Sequence, residues 1–240
     1  MSIQDKMKQN IIDLPEDYSR VIFIGCATVI EESKVFFPAT MSYRTLDFGL
    51  HVRPDELKST LQREISDIPE NIQFIILGYG LCSQAVVGLK SERCNIVIPR
   101  VDDCIGIFSG SQENYRRLHR EEPGTYYLTK GWLKTGGTVF DEFEQMKRKY
   151  GEDRARRVLR VMLKNYKRLC FIKTGEEDLE HYIRRARDIA ERFNLRFETL
   201  SGSVTLIKKM VTGPWDDDFV IVKPGETVLF SHFVRQECLG

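Results

Sequence analysis

The segment Phe74–Leu89, "FIILGYGLCSQAVVGL", decides how the chain is read. Phe74 to Leu77 form an unbroken apolar run, the pattern of a strand buried on both faces. Gly78 and Gly80 interrupt it, Cys82 follows, and "SQAVVGLKSE" is expected to restart as a short helix. The arrangement recurs. "RVIFIGCATVIEES" delivers Cys26 after a second buried run, and "NIVIPRVDDCIGIFSGS" delivers Cys104 after a third. Three strands that each end in a glycine-containing or polar turn with a thiol point to an α/β fold. The expectation is a mainly parallel sheet flanked by helices, in Rossmann-like layers.

The rest of the chain extends this pattern. "SYRTLDFGLHV" reads as a strand, and "RPDELKSTLQREISDI" as a helix with Pro54 at its start and Leu57, Leu61 and Ile65 on one face. Ile105 to Arg120 reads as one helix and "GTYYLT" as a short strand. A basic helical middle follows, with ten Lys or Arg residues between Lys147 and Arg168. "KRLCFIKTG" then opens a second α/β series. It continues through an amphipathic helix carrying Leu179, Tyr182, Ile183, Ala186 and Ala190 on one face, the strand "LRFETL" and the helix "SGSVTLIKKMV". "DFVIVKPGETVLF" closes it as a strand pair or hairpin. The expected organisation is one α/β domain over residues 1–240, with half-units at about 19–135 and 165–230 joined by the basic segment.

Composition excludes several classes. Thirty-six Lys and Arg against 35 Asp and Glu leave a net charge of +1, so no global field draws the chain to nucleic acid or to an anionic membrane. No apolar run approaches the ~20 residues of a membrane span. The N-terminal "MSIQDKMKQNIIDLPEDYSR" is polar, without a signal-peptide core, which gives a cytoplasmic expectation. In a reducing compartment six cysteines are not read as a disulfide framework. Cys94 and Cys170 fall at or inside strands, where burial explains them, and Cys238 lies in the tail.

Cys26, Cys82 and Cys104 are different, because all three fall at carboxyl ends of strands, where ligands of open parallel sheets gather. Thiolates suit an iron–sulfur cluster or zinc, and three protein ligands leave one position open for a small-molecule substrate. The competing reading is that each is a small buried hydrophobe. Gly80 allows close backbone approach to a cofactor, and Arg100 would neutralise thiolates or a bound anion. Ser109, Gly110 and Ser111 offer backbone N–H groups to an anion, without the lysine or spacing of a P-loop. Asp102 and Asp103 are candidates for general acid–base work, with helix capping as the equal alternative, and Lys130 is a third catalytic candidate at the same edge.

The run "GC", "GYGLCS", "PRVDDC", "FSGS", "EPGTYYLTKGW" and "NYKRLCFIKTGEEDL" resembles the family catalogued as domain of unknown function 1638, from about Val21 to about Met210. The resemblance implies an α/β fold and a common cysteine site at Cys26, Cys82 and Cys104. Asp103-Cys104 stands where members often have His-Cys, so no histidine ligand adjoins the third thiol. The resemblance also implies an association with corrinoid-dependent methyl transfer. The open readings are an enzyme with an open metal centre and a non-catalytic metal-binding or accessory protein, partnered by a corrinoid methyltransferase system or by copies of itself.

Overall fold

The computed structural model describes residues 15–175 and 178–234. The N-terminal stretch before residue 15 and Cys238 lie outside the described residues. Strands β1 (Val21–Cys26), β2 (Ser42–Leu46), β3 (Phe74–Gly78), β4 (Asn95–Pro99) and β8 (Phe219–Val222) form one sheet in the order β2-β1-β3-β4-β8. The first four are parallel, and β8 runs antiparallel to β4. All six residues of β1 are buried, as their unbroken apolar character requires of a central strand. Register sets Gly25 opposite Gly78. A Cβ on Gly25 would lie 2.9 Å from the Phe23 ring and one on Gly78 2.6 Å from it, so the ring packs over both glycines.

A second sheet, parallel throughout, contains β5 (Thr125–Leu128), β6 (Arg168–Lys173) and β7 (Arg196–Ser201) in that order. Leu128, Leu169, Phe171 and Ile172 share one continuous core with Phe23, Ile75, Val97 and Val220 of the first sheet. The α/β architecture with mainly parallel strands is therefore as the sequence indicates. The sheets do not follow the expected half-units, however. β5 belongs to the second sheet, and β8 returns to the first.

Several elements differ from their sequence reading. "SYRTLDFGLHV" is a strand only to Leu46, then a 3₁₀ turn from Phe48 to Val52, with Asp47 accepting from the Gly49 amide. "SQAVVGLKSE" is a string of turns rather than a helix, ended by Gly88 at φ +90°. The helix expected from Ile105 to Arg120 is two, α3 (Cys104–Phe108) and α4 (Gln112–Glu121). Gly110 at φ +85° breaks it, and Ser111 caps α4 through Asn114 N. The closing hairpin is absent among the described residues. No strand follows β8 as a hairpin partner there, and Thr227 makes one isolated bridge to Lys90.

The basic middle forms α6 (Val139–Tyr150) and α7 (Glu152–Met162), separated by Gly151 at φ +83°. Phe143, Ala155 and Leu159 make the small core between them. Arg156, Arg157 and Arg160 face solvent, as a solvated helix face predicts. No helix among the described residues is long and apolar enough to cross a membrane.

What fastens the two sheets together is a buried carboxylate. Glu32, in α1 (Ala27–Ser33) behind β1, is 3% exposed. Its Oε1 accepts from Gly131 N at 3.0 Å, at the start of α5 (Lys130–Thr135). Its Oε2 accepts from Thr174 Oγ1 at 2.7 Å, just past β6, and lies 3.8 Å from Lys130 Nζ. Replacing Glu32 with alanine takes the carboxylate from a buried ammonium and two donors at once. The expected cost is about 3–5 kcal/mol in urea-monitored stability. A loss below about 1 kcal/mol contradicts this role.

Candidate functional site

The chain passes from β1 outward to β2 and then back across β1 to β3. The carboxyl ends of β1 and β3 therefore flank a topological switch point, where open α/β sheets form their crevice. A cavity of about 460 Å³ opens there. Cys26, Cys82 and Cys104 all line it. Cys26 is the last residue of β1 and precedes α1, Cys82 opens the turn after β3, and Cys104 is the first residue of α3 after β4. All three are free thiols, as are Cys94 and Cys170. Cys94 donates to Ile72 O at 3.2 Å and Cys170 is buried inside β6, so both have the packing roles the sequence assigned them.

Backbone contacts hold two of the three cysteine loops together. Leu81 N donates to Val101 O at 2.8 Å, and Cys82 N to Asp102 O at 2.9 Å. A Cβ at position 80 would meet Val101 O at 2.6 Å and Asp103 N at 2.9 Å. Gly80 is thus required by the approach of one loop to the other. Beyond it the chain makes a left-handed turn. Cys82, Ser83 and Gln84 have φ of 45°, 56° and 68°, and none is glycine. Left-handed backbone costs non-glycine residues roughly 1–2 kcal/mol each. Such strain concentrates where a side chain must be held in a set position.

Burial pushes the Cys82 thiol well up, and charges on Asp103 and Cys26 raise it further. Cys104 is raised by burial first, then by Asp103, Cys26 and Cys82. Burial raises Cys26 as well, while the amides of Val29 and Thr28 oppose the shift. Cys82 and Cys104 thus share two of their causes, the charges on Cys26 and Asp103. Asp103 is raised by burial against two hydrogen bonds: its Oδ1 accepts from Ile105 N at 2.8 Å and its Oδ2 from the Tyr115 hydroxyl at 2.9 Å.

The other expected site residues divide. Asp102 and Asp103 line the cavity, with Asp103 capping α3 and Asp102 exposed, 3.9 Å from Arg116. Lys130 does not line it, being 4% exposed and turned to Glu32. Arg100 does not line it either. Its guanidinium binds the carbonyls of Asp217, Phe219 and His232, fastening the C-terminal segment. Ser109 donates to Gly106 O and Ser111 O, while Gly110 packs against Ser203. These three residues join the loops before α4 and α9 (Thr205–Thr212), away from the cavity.

Sequence reading missed much of the aromatic wall. Tyr79, Tyr115, Phe48 and Tyr166 line the cavity with Tyr126, Tyr127 and Trp132. Tyr79 is 4% exposed, and its hydroxyl has no hydrogen-bond partner among the described residues. Its visible signal is a tyrosine between two glycines at a strand end. Phe48 and Tyr115 come from a turn and a helix that only the fold brings to the site.

The donor set suits a thiophilic cation, because charge on Cys26 and Asp103 adds to burial in raising Cys82 and Cys104, and a positive charge would offset it. The side chains as they stand do not form a ready-made ligand set. Among the described residues, no group of three or more His, Cys, Asp or Glu is arranged to hold a metal ion.

The chain belongs to a family described as protein of unknown function (DUF1638), whose model matches residues 45–211. The matched stretch contains Cys82 and Cys104 and begins after Cys26. No curated protein and no solved structure matches the chain.

Two outcomes follow from the site. Gln84→Gly should stabilise the protein by roughly 1 kcal/mol in chemical unfolding, while Gln84→Ala should not. Equal effects would remove the case for strain. Asp103 binds its proton more tightly in the fold than at its ordinary 3.8, so its contribution is full below that value and lost as pH rises through the folded one. Asp103→Asn, which keeps the cap, should therefore be more stable than the native chain at pH 7 and equal to it in acid. Destabilisation at pH 7 refutes this.

Proposed function

We propose that this cavity is the working site of the protein, and that Cys26, Cys82 and Cys104 hold a thiophilic metal centre, an iron–sulfur cluster or zinc, with one position open to a small-molecule substrate. The observation that carries the reading is convergence: three thiols from the ends of three parallel strands line one cavity at the switch point. Bound there, such a centre supplies Lewis acidity or electron transfer to the ligand at its open position. The protein's own part is more specific. The left-handed turn at Cys82–Gln84 fixes where the second thiol is presented, and the Leu81 and Cys82 amides tie that loop to the one bearing the third. The aromatic wall limits water around whatever occupies the cavity. Half-buried Cys82 and Cys104 must turn together to complete a ligand set, and losing their protons on binding makes affinity rise with pH.

A second reading, a non-catalytic metal-binding protein, draws on the duties of the expected catalytic groups. Lys130 is paired with Glu32, and both oxygens of Asp103 accept hydrogen bonds. Purification without oxygen, followed by measurement of iron, sulfide and zinc, tests both. Stoichiometric metal that falls at least tenfold in Cys82→Ser, with folding intact, supports the metal centre. Metal-free protein that also fails to take up iron or zinc anaerobically overturns both readings. Turnover of a substrate by the loaded protein then separates enzyme from carrier.

A further inference from the structure

A second concave site lies outside the cysteine cavity, on the basic segment that the proposed function leaves without a role. Residues 147–168 carry ten Lys and Arg against two acids, Glu152 and Asp153, in a chain whose net charge is +1. Part of this charge faces a groove of about 340 Å³ between the end of α7 and the turn that joins α8 (Glu180–Arg192) to β7. That volume is enough for a small organic molecule. Among the described residues, Arg156, Arg160, Lys164 and Arg192 line the groove, and no Asp or Glu does.

Two of these four cations are already engaged. Arg156 holds Glu152 Oε1 at 2.6 Å. Arg192 pairs with Glu144, and its guanidinium lies over the Phe143 and Phe193 rings. Arg160 and Lys164 are exposed, and neither side chain has an ion partner among the described residues. They stand four positions apart at the C-terminal end of α7, whose last carbonyls set only about half a negative charge against them. A cleft lined by one sign of charge draws in ions of the other. The rest of the wall is apolar, with Leu159, Leu163, Phe193 and Leu195. Tyr166 lines this groove and the cysteine cavity alike, so the two sites are neighbours.

We infer that the groove binds a phosphate monoester, its head held by Arg160 and Lys164 and its apolar body by the leucines and Phe193. Two unpaired cations match the nearly double charge of a phosphate monoester at pH 7 better than the single charge of a carboxylate. Arg160 adds the forked donors that phosphate oxygens accept. The inference goes beyond the proposed function, since it needs neither the thiols nor a metal. Isothermal titration of the full-length protein with phenyl phosphate, benzoate and phenol tests it. The titrations are run in about 0.15 M salt, where charges more than about 8 Å apart are largely screened. Phenyl phosphate should bind saturably, and at least tenfold more tightly than benzoate or phenol. An Arg160→Gln, Lys164→Gln variant changes only exposed side chains, so it should fold normally yet weaken phenyl phosphate at least tenfold. Two controls locate the site. Arg154→Gln, Arg157→Gln removes equal charge from the same helix outside the groove, and His51→Gln, His119→Gln removes the imidazoles that line the cysteine cavity. All four of these side chains are exposed, and neither control should change affinity by more than about threefold. The inference fails if phenyl phosphate does not saturate, if benzoate binds equally well, or if either control loses as much affinity as the groove variant.

Discussion

The buried Glu32 carboxylate is the constraint on which the arrangement of the two sheets depends. An ionisable group 3% exposed is tolerable only with partners for its oxygens, and those partners come from α5 and from the end of β6. The carboxylate therefore specifies where the second sheet sits against the first. The cavity inherits that geometry, because one wall carries Cys26 and Gly78 of the first sheet and another carries Tyr126 and Tyr127 of the second. Lys130 serves this junction, which is why a residue expected at the reaction site is found behind it. Hydrophobic burial holds the sheets together without direction, and the carboxylate gives the contact its register.

Within the first sheet a second constraint acts at shorter range. Two amides of the loop after β3 are spent on carbonyls of the loop after β4, and glycine at position 80 is what lets those backbones meet. The chain then accepts three consecutive left-handed residues, although a glycine at any of them would relieve strain. Two neighbouring glycines, Gly78 and Gly80, are themselves committed to close contacts with Phe23 and Val101. Strain at this turn sits beside an unpartnered phenol and thiols pushed away from ionisation. All three features are costs to the fold at one place, the pattern of a site shaped for something other than stability.

The continuous apolar strands were legible because a strand buried on both faces leaves no choice of pattern, and the strand-end position of Cys26, Cys82 and Cys104 followed from them. The helix expected at "SQAVVGLKSE" was not, since its apolar residues imitate a helical face while its backbone is set by Gly88 and by contacts from Val228. The single helix expected from Ile105 failed at Gly110, which Ser203 crowds from a distant loop. Asp102 and Asp103 could be placed at the site from their neighbour Cys104. Arg100, equally close in sequence, could not be excluded from it, because the carbonyls that claim its guanidinium arrive from the far end of the chain. Aromatic lining from a turn, a helix and a second sheet has no local signature at all.

The return of β8 to the first sheet also has a consequence in time. Arg100 and Phe219 are 119 positions apart in the chain, yet the edge of β4 is covered only when β8 arrives. During synthesis, the strand that precedes Cys104 waits with one exposed edge while the entire second sheet is made. Such non-local closure slows folding, and an unpaired edge is an invitation to associate with other chains. Arg100, holding three carbonyls of the late segment, acts as the latch that ends this exposed interval.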